Sequence, residues 1–108
     1  PRSADRIATA LEMVFANQSL ITAQIAAKAC KLHRNAFSRA FKDAMGISFA
    51  DFALRYRLSG AAEDMLANSD PIKAIARRWG FTDTSHFHRC FIRHYRCPPS
   101  HYRQRAPK

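Results

Sequence analysis

Arg39 and Arg89 sit in matching pentapeptides, Phe37-Ser38-Arg39-Ala40-Phe41 and Phe87-His88-Arg89-Cys90-Phe91, fifty residues apart. An arginine presents a planar fork of donors that can engage two acceptors at once, such as O6 and N7 of guanine. Read with a helical period, Phe37, Ala40 and Phe41 share one face, and Asn35, Ser38, Arg39 and Lys42 share the other. In the second segment Phe87, Cys90 and Phe91 face inward and Ser85, His86 and Arg89 outward, with Thr84 a further candidate. Asn35 can bond adenine in the same two-pronged way. His33 and Arg34, at the start of the first helix, can reach a phosphate or a base. Arg77, Arg78, Arg93, Arg96 and Arg103 are expected on phosphates, which position a protein without reading sequence. Thr22 and Lys42 complete the secondary contacts.

Other chemistry finds less support. His86, Cys90 and His94 recur at i, i+4 and i+8, with His88, Cys97 and His101 nearby. Three ligands spread over three helical turns cannot all reach one ion at about 2.0–2.3 Å. Cys90 also takes the inward place that Ala40 holds in the first segment. No metal and no cofactor are expected. Nor is an enzyme: there is no carboxylate pair, phosphate-cradling loop or anchored Ser/His/Asp set.

The charge points the same way. The 108 residues carry 18 Lys/Arg against 8 Asp/Glu, a formal net charge of +10. Residues 1–70 hold nine basic and seven acidic side chains, whereas residues 71–108 hold nine and one, Asp83. The apolar fraction of 47% is that of a globular chain, so the charge lies on a folded surface. So basic a segment needs an anionic partner, and nucleic acid is the usual one. The alternative is a basic helical module that meets an acidic protein or a membrane surface; preference for base sequence separates the two. No run approaches 18 apolar residues, so no transmembrane helix is expected, and no signal peptide is visible. Three cysteines without a disulfide framework suggest a reducing compartment, hence the cytoplasm. The chain opens at Pro1 without Met and reads as an excised domain.

The elements that position these residues are all helical, about seven of them. Ile7, Leu11, Val14 and Phe15 form one stripe. Thr22 can cap a short Ala-rich helix that ends near Cys30. A helix from His33 to Met45 stops at Gly46. Ser48 caps the longest helix, to about Asn68, in which Gly60 is a weak point costing about 1 kcal/mol against Ala. Asp70-Pro71 marks the next start, with Asp70 as cap, and that helix, Ile72 to Trp79, ends at Gly80. Thr82 is expected to cap a helix to about Tyr95. Pro98-Pro99 blocks continuation, Pro99 opens a last short helix through Tyr102, and fraying is expected from Gln104.

The chain also repeats itself. The two Phe-x-Arg-x-Phe segments are offset by 50, and Ala26-Ala27 matches Ile75-Ala76 at an offset of 49. Each unit is a short helix, a tight turn and a longer helix, the helix-turn-helix pattern. Ala27 and Ala76 must be small where the second helix crosses close. The turn residue often needs positive φ, which suits Gly80 but not Lys31. Trp79 and the Phe residues read as core.

From Gly80 to Arg103 the run GFTDTSHFHRCFIRHYRCPPSHYR closely resembles the C-terminal signature of the AraC/XylS family of bacterial transcription regulators. The resemblance extends through Asp70-Pro71-Ile72, Ile75-Ala76 and Phe52 to Ala62, and less sharply over Thr22 to Gly46, so it covers roughly residues 5 to 105. Lys31 and Arg96 stand where the family usually has Gly, and Cys97-Pro98 where a small apolar residue and Ser or Pro are common. The resemblance implies an all-α, homeodomain-like fold, with helix-turn-helix subdomains at 1–47 and 69–108 joined by a rigid helix at 48–68. It implies double-stranded DNA binding, probed by recognition helices in successive major grooves, and an activator acting with RNA polymerase. A spacer of about 30 Å suits grooves one turn, about 34 Å, apart. Asn35, Ser38, Arg39, Ser85, His86 and Arg89 match the family's base-reading positions, and the position of Arg57 implies an internal ion pair or hydrogen bonds at least as much as a DNA contact. Dimerisation is expected outside these residues, leaving the domain itself monomeric.

Overall fold

The computed structural model describes residues 3–105, all helix and connecting turns, with no strand among them. Eight helices follow in order: α1 (Ser3–Arg6), α2 (Ala8–Ala16), α3 (Ala23–Ala29), α4 (Arg34–Met45), α5 (Phe49–Ala67), α6 (Ile72–Arg78), α7 (Thr84–Tyr95) and α8 (Pro99–Arg105). They form two compact units, the first ending at Tyr56 and the second beginning at Arg57, so the division falls inside α5. The helix carries two apolar stripes in succession. Phe49, Phe52, Ala53 and Tyr56 serve the first unit, and Leu58, Ala61, Ala62 and Met65 the second. Each stripe has the i, i+3, i+4, i+7 spacing of one helix face.

In the first unit, Ile7 breaks the expected stripe into α1 and α2 and is itself buried, with 1% exposed. It joins Ala10, Val14, Ala26, Ala27, Phe37, Ala40 and Phe41 in a core against Phe49 and Ala53. Phe41 meets Phe49 edge-on at 5.3 Å and Phe52 at 5.5 Å. Each buried Phe contributes about 1.5–3 kcal/mol. Phe15, expected in the stripe, is 57% exposed instead. Its ring touches Tyr56 and Phe52 only at the margin of the core, because the core is already filled by α4 rings.

The turns of the two units share one hydrogen-bond pattern. Leu32 N–H donates to the Ala27 carbonyl at 2.9 Å, and Phe81 N–H to the Ala76 carbonyl at 3.0 Å. Lys31 and Gly80 both take positive φ, 59° and 86°. Lys31 therefore adopts the glycine geometry at the cost of contact between its Cβ and the backbone, about 1–2 kcal/mol for an L-residue. Part of that is offset because glycine loses more entropy on folding. Lys31→Gly is expected to stabilise the chain by about 0.5–1 kcal/mol, read as a higher urea midpoint at unchanged m-value. A lower midpoint contradicts this. Arg96, the other residue where glycine was expected, also has positive φ, 64°, as the C-cap of α7.

Caps divide into those read correctly and those displaced. Thr22 Oγ1 accepts from Ile25 N–H at 3.2 Å, and Ser48 Oγ from Asp51 N–H at 3.1 Å, as expected. α7 is capped by Asp83 rather than Thr82: its carboxylate accepts from Ser85 N–H at 2.9 Å. α6 starts at Ile72, as expected, but its N-cap is Pro71 rather than Asp70, and no side chain caps it. Asp70 is drawn off to Arg78 at 2.8 Å, a charged partner stronger than a lone N–H. α8 runs on to Arg105, past the point where fraying was expected.

The second unit packs Leu58, Ala61, Met65, Ile75, Ala76, Phe81, Phe87 and Phe91. Phe91 stacks on Tyr95 at 4.4 Å, and Tyr102 from α8 meets both rings edge-on. Burial raises the Tyr95 phenol above its ordinary pKa. Gly60 is no weak point. A Cβ built there would lie 2.2 Å from the Trp79 ring, so the indole occupies the space that any side chain would need.

Candidate nucleic-acid interface

Both helices that follow the turns bury one face and leave the other open. α4 buries Phe37, Ala40 and Phe41, and α7 buries Phe87, Cys90 and Phe91. Asn35, Ser38, Arg39 and Lys42 are all exposed on α4, and Thr84, Ser85, His86, Arg89 and Arg93 on α7. His33 caps α4, its Nδ1 accepting from Asn35 N–H at 3.3 Å, so that ring is held at the helix mouth. Thr22, Arg34, Arg77 and Arg96 are also exposed.

Clefts flank these faces. Gln24 and Lys28 of α3 line one of about 470 Å³ with His33, Arg34 and Asn35. Thr84, Ser85, His88 and Arg89 line another of about 290 Å³ on α7. Gln24, Lys28 and His88 are candidates that the sequence reading passed over. With Ala26 and Ala27 inward, residues 24 and 28 fall one turn apart on the outer face. His88 is the repeat counterpart of Ser38, so the repeat itself carried the signal.

Some expected contacts are engaged within the fold. Arg78 donates to Asp64 Oδ2 at 3.0 Å and to Asp70 Oδ2 at 2.8 Å, and these carboxylates raise its pKa. Arg103 donates to the carbonyls of Met65 at 3.0 Å and Asn68 at 3.2 Å, satisfying the end of α5. His86 is exposed, but its Nε2 lies 3.4 Å from Cys90 Sγ. The Cys90 thiol is buried, filling the core place inferred for it. Among the described residues, no group of three or more His, Cys, Asp or Glu could hold a metal ion. No helix among them is long and apolar enough to cross a membrane.

Arg57 is the one buried charged residue in the described core, 7% exposed. Its guanidinium lies 4.4 Å from the centre of the Phe81 ring, and Nη1 donates to the Trp79 carbonyl at 3.5 Å. Trp79 is the C-cap of α6, where the helix dipole favours a cation. A desolvated cation over an aromatic face contributes about 2 kcal/mol or more. Against this, burial lowers the Arg57 pKa, and Nε has no hydrogen-bond partner among the described residues. Arg57 thus fastens turn to helix inside the second unit.

A repeated three-helix unit whose last helix bares an Asn/Ser/Arg or Ser/His/Arg face defines a double helix-turn-helix DNA-binding domain. A family profile described as "Helix-turn-helix domain" matches residues 26–105. The chain is 32% identical over 103 residues to the HTH-type transcriptional activator RhaR of Mannheimia succiniciproducens, covering 91% of this chain and 37% of that protein. Among solved structures, the C-terminal domain of AraT, a response regulator from Geobacillus stearothermophilus, superposes with a TM-score of 0.89 at 26% identity, covering 100% of this chain and 91% of that one. The DNA-binding domain of AdpA, solved with a target DNA, shares the fold at a TM-score of 0.81 and 22% identity, covering 94% and 89%. This chain belongs to the AraC/XylS family, as its helix-turn-helix domain. It spans between 22% and 37% of the length of the curated relatives it matches.

Proposed function

We propose that this chain reads specific double-stranded DNA for a bacterial transcription regulator acting as an activator. The observation that carries the reading is the matched exposure of Arg39 and Arg89 at equivalent places on α4 and α7. Asn35, Ser38 and Arg39 read bases from α4. Ser85, Arg89 and the added His88 read them from α7, with His86 tilted back toward Cys90. Thr22, His33, Arg34, Lys42, Arg77, Thr84, Arg93 and Arg96 contact phosphate or support the readers. Arg78 and Arg103 leave that set because their guanidiniums serve the fold. Each recognition helix takes its own stretch of major groove. The domain binds as a monomer without cofactor, in the cytoplasm, with RNA polymerase as the second partner of the whole regulator.

The kinship with activators supports the regulatory part of this reading, and the excess of basic side chains supports the DNA part. Fluorescence anisotropy with duplex DNA, an acidic polypeptide and anionic vesicles tests it at one salt concentration. Tightest binding to duplex, with some duplex sequences preferred, is expected. Equal binding to all three marks a basic interaction module instead.

A further inference from the structure

Arg6 lies outside both recognition helices, yet it lines a cleft of about 220 Å³ on α4 with Ala36, Arg39, Ala40 and Asp43. We propose that Arg6 is a DNA-backbone contact: it holds the phosphate beside the base that Arg39 reads, so α1 acts as a third element of the first unit's interface. The inference rests on the DNA-binding reading and adds a residue to it.

The chemistry of the cleft suits a phosphate. Two guanidiniums and one carboxylate line it, a net positive wall. Arginine forks match phosphate oxygens two at a time. Ala36 and Ala40 leave room there for a bulky group to come close to α4. Arg6 and Arg39 are exposed, and neither makes an ion pair among the described residues. Arg39 and Asp43 are one turn apart with the base N-terminal to the acid, the weaker order for a helical pair.

The repeat shows why Arg6 is available. Ile7, Ala10 and Val14 correspond to Leu58, Ala61 and Met65, each pair buried and offset by 51. On that register Arg6 is the counterpart of Arg57. Arg57 folds inward onto the Phe81 ring and the Trp79 carbonyl. In the first unit Leu32 stands in place of Phe81, so no aromatic face is offered to Arg6, and its guanidinium remains at the surface. The two units thus use equivalent arginines differently, one as a fastener and one as a contact.

The test measures affinity against salt for the chain and for Arg6→Ala, Arg6→Lys and Asp43→Asn. Each is titrated with a selected duplex and a scrambled duplex of equal length. For Arg6→Ala the slope of log K against log salt should become shallower by about 0.9, the value for one phosphate contact. Affinity should fall by the same factor on both duplexes, leaving base preference intact. Arg6→Lys should restore the slope, and Asp43→Asn should bind at least as tightly as the parent. An unchanged slope in Arg6→Ala overturns the proposal. So does a drop in melting temperature shared by Arg6→Ala and Asp43→Asn, which would mark an internal pair. If the parent fails to distinguish the two duplexes, the sequence-reading proposal fails, while the slope still reports on Arg6.

Discussion

Gly60→Ala should destabilise the second unit by about 2 kcal/mol, although alanine in a helix interior normally gains about 1 kcal/mol over glycine. The sign reverses because the new Cβ would lie 2.2 Å from the Trp79 ring. That ring cannot simply retreat. Its Nε1 donates to Asp64 Oδ2 at 2.8 Å, and the same oxygen accepts from Arg78. Moving the indole therefore adds a lost bond to a charged group, about 1.5–3 kcal/mol, to the overpacking, about 1–3 kcal/mol. For a chain of this size the melting temperature should fall by about 10 °C. Gly60→Ala combined with Trp79→Leu should cost less than the sum of the two single changes, since the smaller ring partner removes the clash. A gain in stability from Gly60→Ala alone contradicts this account of Trp79.

Arg39→Ala and Arg89→Ala should each cost about 1–3 kcal/mol of discrimination at one base pair, roughly 5- to 150-fold. Each should relax preference at a different position in the site, because the two residues stand on different recognition helices. Arg93→Ala should instead weaken preferred and unrelated duplexes alike. All three side chains are exposed, so the variants should melt with the parent and the losses can be read as binding. Binding isotherms on single-base-substituted duplexes separate the roles. Equal losses on every duplex for all three variants would contradict the division into readers and positioners.

Local signals were legible where the cause was local. Thr22 and Ser48 cap their helices because each hydroxyl needs only the N–H three residues ahead. The buried faces of α4 and α7 followed from helical spacing. The misreadings share a different origin, a partner distant in sequence. Gly60 looks like a flaw until Trp79, nineteen residues on, occupies its space. Asp70 looks like a cap until Arg78 folds back to it. Arg103 looks like a free cation until the end of α5 offers it two carbonyls. Thr82 looks like the cap of α7, but the carboxylate of Asp83, one residue on, accepts from Ser85 N–H. Of the proposed contacts, His88 is legible from the repeat, whereas Arg6 needs α1 to be placed against α4.

The most direct measurement is selection from a pool of random duplex DNA at about 150 mM salt, where screening weakens contacts that do not read sequence. The account predicts two enriched boxes about one helical turn apart, one lost in Arg39→Ala and the other in Arg89→Ala. A pool that emerges without enrichment would contradict sequence reading by this chain.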